Sequence, residues 1–599
     1  MSPFDTQIPS HPPMRLESKP ETTLLVERRI LKQLFEALLF EQVIEHHYDQ
    51  PFFYFTLGKT QYQVEGYVAG YSRIRLNPSS LYRRLDGVLQ PVQLNDVIEE
   101  LPTTAAIKDK LTEQLQQTQL LCQWNADHLM KLSSRYGLDY LDLESQLDEG
   151  HPYHPCFKAR TGFSLEDHQR YGPECAQPIQ LHWLAVKRTH IQQSLPSAVS
   201  DQSDLAFWQQ EVGAEAWSDL EQAMQAAKLS WQDYTLLPIH PWQWQRFQHN
   251  HLRPALENAE LVYLGAAGDH YQATISVRTL INITHPEKAH IKLPLSMINT
   301  SSLRKLEPHS VCTAPAISHW LKQVVRNDDF YLTHPMILLD EYAGILIPEN
   351  NDDHAWQTQL RGQLGVIFRE SIDPYLHIGQ QAMPFTALYA EETTGQPFIQ
   401  PIIQQYGLET WLIQLIDVTV IPVWHLLVKH GLAVEAHGQN MVLIHQDGWP
   451  SAVVLRDFHE SVEYVDDYLA NPELKPDFDQ INPCYQNAPD NLYYWMESVE
   501  ALRELIIDTL FVFNLSELAC VLERHFDYSE ARFWDTIYQR LQEYAQQGHC
   551  SQARLDRMPI NQPTIYTESL IKKKLADIEA DHFHHQIANP FANKPALTV

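Results

Sequence analysis

Hydrophobic and polar residues alternate with two different periods along this chain of 599 residues. Across residues 105–132, leucines recur every three to four positions, as they do on one face of an amphipathic helix. A looser form of this pattern predicts that residues 21–149 are mainly helical. Residues 273–278 and 290–293 instead alternate apolar and polar side chains. This period predicts two strands, with Ser276, Arg278 and Lys292 on a shared polar face.

Helical patterns dominate again from residue 335 onward. The most apolar run, residues 411–428, is interrupted by Asp417, Pro422 and His425, which favours a buried helix over a membrane span. Gly431 stands where a glycine would end that helix. A hairpin is predicted to follow, with strands at residues 432–436, 441–444 and 452–455.

The length of the chain exceeds what one hydrophobic core usually covers. A proline- and histidine-rich stretch at residues 150–155 marks a boundary between segments. We therefore predict three regions, residues 1–149, 150–335 and 336–599. The predicted fold class is mixed α/β (α+β).

The formal net charge of −31 argues against nucleic acid and anionic membranes as partners, because both select for basic surfaces. Any site for an anionic substrate must then be a local cluster of Arg and Lys. Seven cysteines without a C-x-x-C pair are typical of a reduced protein, not of a disulfide scaffold. Since the first residues show no apolar signal region, we expect a cytoplasmic protein.

The most informative local motif combines Glu435, His437 and Asn440 with Asp457. Carboxylate and amide oxygens suit Mg²⁺, which prefers carboxylates together with substrate phosphates. An Asn followed by a metal-binding Asp also resembles how kinase-type sites hold magnesium on a nucleotide. The alternative is a structural turn, because His-Gly and Gln-Asn are common turn pairs.

Three cations and three hydroxyl groups form a second cluster within about thirty residues: Ser276, Arg278, Thr279, Lys292, Thr300 and Arg304. Such groups predict a phosphate or polycarboxylate pocket. An ordinary solvated sheet face is the alternative. The loop at residues 151–163 adds two histidines and two cations, including His154 and Lys158. The segment around His240 and Trp242 is more typical of a rigid structural turn.

In combination these segments resemble the NRPS-independent siderophore synthetases of the aerobactin-synthetase type. The resemblance covers roughly residues 20–595 and rests on four stretches in the family's order: residues 151–163, 237–243, 276–304, and 435–440 with 456–458. It implies a cupped-hand architecture with a helical thumb, β-rich fingers and a mainly helical, distantly kinase-like palm. It also implies a homodimer.

The resemblance implies ATP-dependent adenylation of citrate or of a citrate- or succinyl-derived acid. The adenylate then condenses with an amine or hydroxyl group, and AMP and pyrophosphate are released. The implied site residues are Ser276, Arg278, Thr279 and Lys292 for the ATP phosphates, Arg304 and His437 for phosphate and substrate, His154, Thr300 and Gln439 for the acid, and Glu435, Asn440 and Asp457 for Mg²⁺. Lys292, Arg304 and His437 are the implied catalytic residues.

His459-Glu460 follows the Asp-Phe element where some members of the family have a small residue, which favours an already substituted citrate or a succinyl-hydroxamate. The acid and the amine stay open, and His437 is a candidate base for the second step. A small-molecule kinase that releases ADP is the main alternative. An iron- or siderophore-binding protein without ATP turnover is a second one.

Overall fold

The computed structural model describes residues 20–85, 87–196, 204–350, 355–576 and 583–599. Its helices and strands are mixed along the whole chain, so the predicted fold class is confirmed. Three sheets of four or more strands organise the described residues. The site described below lies between two of them.

The N-terminal region begins with helix Pro20–Phe40 and continues into a six-stranded antiparallel sheet. The strands are His46–Asp49, Phe52–Leu57, Thr60–Val68, Ile74–Leu76, Tyr82–Leu85 and Val88–Pro91. The prediction that residues 21–149 are mainly helical is therefore wrong for residues 46–91. Phe53, Phe55 and Leu57 alternate with more exposed neighbours, which is the period of a half-buried strand. Helices Leu94–Glu100, Ala105–His128 and Tyr140–Gln146 follow, so the predicted helix at residues 105–132 is confirmed.

An eight-stranded antiparallel sheet, here called the central sheet, occupies the middle of the chain. In spatial order its strands are Gln192–Ser194, Glu341–Leu346, Gly365–Arg369, His290–Lys292, Thr279–Asn282, Leu261–Ala273, Ile179–Lys187 and Tyr234–Ile239. One helix precedes Ile179–Lys187, the first strand of this sheet along the chain, and the others lie in the connections between its strands. These helices are Leu165–Tyr171, Asp204–Val212, Ala214–Ala226, Pro241–Phe247, Arg253–Glu257, Pro308–Val311, Ala314–Arg326, Phe330–Thr333 and Trp356–Gln359. The predicted strand at residues 290–293 is confirmed. Since the sheet continues to Arg369, it extends past the predicted boundary at residue 335, and the division into three regions stays a prediction.

The predicted strand at residues 273–278 is wrong beyond Ala273. Residues 274–278 form the turn between strands Leu261–Ala273 and Thr279–Asn282. Val277 has a φ of 69° and donates its N–H to Thr274 O at 2.7 Å, while Ser276 Oγ accepts from Thr279 N at 3.2 Å. Ser276 and Arg278 therefore belong to a hairpin tip and not to a sheet face.

The C-terminal region contains a four-stranded sheet with strands Met336–Leu338, Trp449–Leu455, Met441–Gln446 and Gln381–Pro384. Strand Leu432–Val434 pairs separately with Val462–Tyr464. Four further short strands pair outside the large sheets: Ile298–Asn299 with Ser302–Leu303, and Thr564–Glu568 with His584–Ala588. The predicted pairing of residues 441–444 with residues 452–455 is confirmed, whereas the predicted strand at residues 432–436 ends at Val434 and does not join this hairpin. Gly431 ends the preceding helix with a φ of 78°.

The helices of the C-terminal region are Gln400–Tyr406, Leu408–His425, Phe478–Ile481, Val499–Ile506, Ser516–Phe526, Glu530–Gln546, Gln552–Asp556 and Leu570–Leu575, with π-helical segments at Leu426–His430 and Ile507–Leu515. Two continuous stretches, Leu408–His430 and Val499–Phe526, are long and apolar enough to cross a membrane. However, 83% and 72% of their apolar windows are buried inside the protein, as in core helices. The predicted burial of residues 411–428 is confirmed.

Two hydrophobic cores hold these elements together. One core packs the central sheet, with Trp208, Leu280 and Val366 among its members. The other joins the N-terminal helix to the C-terminal helices, for example Phe35 and Leu510. The N-terminal and C-terminal regions therefore share a core, and the central sheet packs against it as a separate layer.

Candidate active site

The loop after strand Leu432–Val434 presents polar side chains to a cleft that faces the central sheet. Glu435, His437 and Gln439 are partly exposed, whereas Ala436, Gly438 and Asn440 are buried between them. This alternation directs three functional side chains to one side of the loop.

Asn440 holds the loop in place. Its Oδ1 accepts the backbone N–H groups of Arg456 at 3.0 Å and Asp457 at 2.8 Å, and its Nδ2 donates to Glu435 O at 2.6 Å. A carboxamide oxygen has two lone pairs, so these bonds use its acceptor capacity. The expectation that Asn440 binds Mg²⁺ stays a prediction, but in this structure the oxygen it would need is already occupied.

Asp457 joins the loop to the central sheet. Its Oδ1 accepts from Lys292 Nζ at 3.1 Å and from Arg369 Nη1 at 2.7 Å. Although burial opposes ionisation, these two cations hold the pKa of Asp457 well below its usual range. Burial lowers the pKa of Lys292 while Asp457 counteracts it. Two buried cations thus meet one carboxylate at the centre of the cleft.

His437 is neutral and oriented. Burial in the cleft lowers its pKa to about 4, and the nearby cations Arg456 and Lys292 act in the same direction. Its Nδ1 accepts from Asn440 N at 3.2 Å, which leaves the proton on Nε2. That nitrogen lies 3.7 Å from Glu435 Oε2. His437 is therefore placed to donate a hydrogen bond into the cleft.

Glu435 belongs to a group of carboxylates that repel one another. Burial raises its pKa, and Glu460 and Asp457 raise it further. Its Oε2 accepts from Ser461 Oγ at 2.9 Å. Carboxylate oxygens at close quarters are stabilised when a divalent cation lies between them. The donor set of Glu435 and Asp457 therefore fits Mg²⁺.

A small cavity of about 40 Å³ brings together residues from three distant segments, including His151, Ser276, Thr300, Arg304 and Gln439. Arg304 Nη2 donates to Thr300 Oγ1 at 2.7 Å. Burial lowers the pKa of Arg304 to about 9, and repulsion by Arg278 contributes. At neutral pH the guanidinium stays charged, so the cavity has a buried positive group that suits an anionic ligand.

Three buried polar atoms on residues that line this cavity have no hydrogen-bond partner among the described residues: Arg160 Nε, Asn299 Oδ1 and Arg304 Nε. Buried polar atoms are nearly always hydrogen-bonded, so unpaired atoms at a cavity indicate where a ligand would bind. His154 Nε2 and Thr279 Oγ1 are also unpaired among the described residues, but these residues do not line the cavity. The roles of His154 and Thr279 stay predictions.

The cations of the loop at residues 151–163 are not free to bind a ligand. Lys158 Nζ lies 2.6 Å from Glu174 Oε1, and Arg160 Nη1 lies 2.8 Å from Glu174 Oε2. All three side chains are buried. The interpretation of this loop as a source of available positive charge is therefore wrong. His240 is also structural, because its Nδ1 caps helix Pro241–Phe247 at Trp242 N.

Sequence reasoning missed three residues of the cleft. Arg369 ends a strand of the central sheet, and only strand pairing brings it to Asp457. Glu341 is fully buried and binds the backbone N–H groups of residues 458 and 459 as well as His459 Nδ1 at 3.0 Å. Lys574, near the end of the chain, donates to Thr300 O at 2.9 Å. No local pattern marks any of these positions.

A chamber of about 940 Å³ adjoins the small cavity and shares the lining residues Leu147, Gly150 and Ile275 with it. Its walls come from the N-terminal sheet and from residues 386–391 and 517–524. Glu65 and Glu523 line this chamber without a cationic partner among the described residues. The chamber is much larger than the cavity, and its lining carries both acidic and basic side chains, the latter including Arg29, Lys32 and Arg75.

Comparisons with known proteins agree with this geometry. The model of the IucA / IucC family matches residues 139–390, and a model described as Ferric iron reductase FhuF-like transporter matches residues 409–582. A citryl-spermidine/3,4-dihydroxybenzoyl-citryl-spermidine:spermidine ligase of Bacillus anthracis is 33% identical over 97% of this chain and 95% of its own length. The chain belongs to the IucA / IucC family.

Other members of the IucA / IucC family extend this result. Aerobactin synthase of Escherichia coli is 32% identical over 58% of this chain and 61% of its own length. The crystal structure of petrobactin biosynthesis protein AsbB from Bacillus anthracis superposes with a TM-score of 0.88 at 33% identity, covering 96% of both chains. Aerobactin synthetase IucC from Klebsiella pneumoniae gives a TM-score of 0.81 at 25% identity, covering 96% of this chain and 98% of its own.

The IucA / IucC assignment confirms the predicted family and the predicted class of enzyme, a ligase of siderophore biosynthesis. It favours this ligase over the kinase and the binding protein considered as alternatives. The roles of individual residues stay predictions.

Proposed function

We propose that this ligase uses ATP to adenylate a carboxylate of an already substituted citrate and then joins the acyl group to a polyamine-type amine. The supporting observation is that Lys292 and Arg369 both pair with Asp457. His437 interacts electrostatically both with this group and with Arg304, which lines the small cavity. The name of the Bacillus anthracis relative, which includes both citryl-spermidine and spermidine, supports this choice of substrates.

The first step forms an acyl adenylate. A carboxylate oxygen of the acid attacks the α-phosphorus of ATP, the bond to the β-phosphate oxygen breaks, and pyrophosphate leaves. Negative charge then develops on phosphate oxygens, and fixed cations in a buried site stabilise it. Lys292 and Arg278 are the proposed phosphate ligands, together with the hydroxyl groups of Ser276 and Thr279.

Glu435 and Asp457 are the proposed ligands of Mg²⁺, and Asn440 keeps the loop that carries them in position. When bound, the metal would neutralise charge on the phosphates. Asp457 already binds Lys292 and Arg369. Asp457 would therefore bring the phosphate-binding cations and the metal to the same part of the cleft.

Arg304, Thr300, Gln439 and His154 are the proposed ligands of the acid. The cavity of about 40 Å³ has room for a few water molecules only, so it holds one carboxylate arm and not the whole acid. The rest of the molecule must extend into the adjoining chamber of about 940 Å³. This arrangement suits an acid with a long substituent.

The second step is attack of the neutral amine nitrogen on the acyl carbon. The C–N bond forms, the C–O bond to the phosphate of AMP breaks, and the proton lost by the nitrogen passes to solvent water. A base works best when its pKa is near the working pH, and the pKa of His437 is about 4. We therefore assign to His437 the donation of its Nε2–H to the reacting carbonyl or phosphate oxygen. Glu65 and Glu523 in the chamber would bind a distant ammonium group of the amine.

The finer properties of the enzyme follow the family resemblance. We propose that it acts in the cytoplasm, that it needs ATP and Mg²⁺, and that it is a homodimer. The free thiols are consistent with a reducing compartment, because none of the seven cysteines forms a disulfide.

Product analysis tests the proposal. The enzyme is incubated with ATP, Mg²⁺ and hydroxylamine in the presence of citrate, a citrate monoamide of spermidine, succinate or 2-oxoglutarate. We expect AMP, pyrophosphate and a hydroxamate with the citrate monoamide, and less product with citrate. Release of ADP and phosphate would contradict adenylation, and equal turnover of all acids would contradict the assignment of the chamber.

A further inference from the structure

A second cluster of polar side chains lies apart from the cleft, at the end of the buried helix Leu408–His425. Asp328 Oδ2 accepts from His425 Nε2 at 3.0 Å and from His430 Nε2 at 2.9 Å. One ligand atom from each residue lies within 4.8 Å of the other two. Among the described residues this is the only such group of three His, Cys, Asp or Glu side chains.

The local helix geometry makes this convergence possible. In an α-helix, residues five apart point about 140° away from each other. Residues Leu426–His430 form a π-helical segment, whose wider turn brings positions five apart nearly into line. Single π turns inside α-helices often occur at functional sites. The π segment is thus what directs His425 and His430 to one carboxylate oxygen.

Neighbouring side chains fix both imidazoles. The ring of His425 stacks on Phe330 at 3.8 Å between ring centroids and 8° between planes, and its Nδ1 lies 2.8 Å from Tyr544 Oη. Metal-binding histidines usually have such a partner on the second ring nitrogen. His430 is 6% exposed, and its Nδ1 has no partner among the described residues. Hydrogen bonds among the described residues therefore leave one nitrogen of this cluster, His430 Nδ1, without a partner.

The chemistry of the three ligands selects a metal. Two imidazole nitrogens and one carboxylate oxygen are a donor set for Zn²⁺ and related transition metals, whereas Mg²⁺ prefers oxygen alone. Three protein ligands leave one position for water. A neutral histidine binds metal at Nε2 with its proton on Nδ1, so His425 would then donate to Tyr544 Oη.

We propose that Asp328, His425 and His430 form a Zn²⁺ site, separate from the Mg²⁺ site proposed at Glu435 and Asp457. The site connects three elements of the core that the N-terminal and C-terminal regions share. Asp328 follows helix Ala314–Arg326, the histidines end helix Leu408–His425 and its π segment, and Tyr544 belongs to helix Glu530–Gln546. A metal ion at this place would fix the end of the helix from which the active-site loop departs.

The test measures binding of Zn²⁺ and Co²⁺ to the metal-free full-length protein, by competition with a chromogenic chelator and by the visible absorption of Co²⁺. Variant Asp457→Asn removes the proposed Mg²⁺ site, so that only the second site is counted. In the Asp457→Asn background we expect each protein molecule to bind one equivalent of Zn²⁺ or Co²⁺ tightly. Asp328→Asn and His430→Gln should weaken binding at least tenfold.

His334→Ala is the matched control. His334 also stacks on Phe330, at 4.3 Å, but its Nδ1 contacts Thr333 Oγ1 and not Asp328. The affinity of the His334→Ala variant for Zn²⁺ should be unchanged. His430→Gln keeps a hydrogen-bond donor toward Asp328, which protects the fold if Asp328→Asn is unstable. The proposal is overturned if the parent binds no Zn²⁺ or Co²⁺, or if both cluster variants bind as tightly as the control.

Discussion

Replacement of Lys292 by glutamine tests the central feature of the proposed cleft. Lys292 is 4% exposed, and its Nζ lies 3.1 Å from Asp457 Oδ1. Opposite charges at this distance attract by about 5 kcal/mol at an effective dielectric constant of about 20. Desolvation costs several kcal/mol for each buried ion, on the order of the attraction itself. Because Asp457 keeps Arg369 at 2.7 Å, Lys292→Gln should lower the free energy of unfolding by less than about 2 kcal/mol.

The effect of Lys292→Gln on catalysis should be much larger. Loss of one fixed donor to developing charge typically costs about 2.7–4 kcal/mol, or about 10²–10³ in rate. We therefore expect acid-dependent pyrophosphate release to fall about 100- to 1000-fold. Pyrophosphate release is measured with saturating ATP, and the free energy of unfolding is measured by urea titration of the same preparation.

Lys322→Gln is the matched control for Lys292→Gln. Lys322 is also buried and also forms ion pairs, with its Nζ 2.8 Å from Glu370 Oε2 and 3.4 Å from Asp340 Oδ2. It should show a comparable change in stability and nearly normal pyrophosphate release. The assignment of Lys292 would be refuted if Lys292→Gln kept more than a tenth of the activity, or if both variants lost activity equally.

Three further predictions concern substrate binding and pH. Glu523→Gln should raise KM for a polyamine several-fold without changing KM for ATP, whereas the exposed Glu473→Gln should change neither, as measured by steady-state kinetics. Arg304→Gln should raise KM for the acid at least tenfold, as measured by hydroxamate formation; an unchanged KM would exclude it from the acid site. Burial raises the pKa of Asp508 to about 8 from an ordinary value near 4, so its contribution to stability is present at low pH and is lost as pH rises through 8. Asp508→Asn should therefore stabilise the protein at pH 8 but not at pH 4, as measured by urea titration at both values.

The sequence predicts the parts of the site that are close together along the chain. Glu435, His437 and Gln439 are the partly exposed residues of one loop, and their buried neighbours separate them. The alternation at residues 290–293 predicts that Lys292 lies on a strand, and it lies on strand His290–Lys292. The meeting of Lys292 with Asp457 follows from the family resemblance, since residues 165 positions apart have no local signal that joins them.

The errors have identifiable physical causes. Alternation at residues 273–278 is compatible with a strand, but Val277 adopts a positive φ, a conformation that a β-branched residue rarely occupies. Most strands at residues 46–91 are short, and the period of a short apolar run such as residues 52–57 does not separate a strand from a helix. Arg369 reaches Asp457 only through the pairing of Gly365–Arg369 with His290–Lys292. Long-range pairing of this kind leaves no trace in a local pattern.

The distribution of charge across the cleft explains why it would bind a metal–nucleotide complex. The cations Lys292 and Arg369 come from the central sheet, whereas the carboxylates Glu435, Asp457 and Glu460 come from the C-terminal region, and the two sides belong to different cores. In this structure both cations use Asp457 as their counter-ion. In the proposed function, ATP would supply phosphate oxygens to the cations, and Mg²⁺ would supply positive charge to the carboxylates. Binding of both together would replace one shared ion pair by two complete sets of partners, whereas either one alone would leave like charges facing each other.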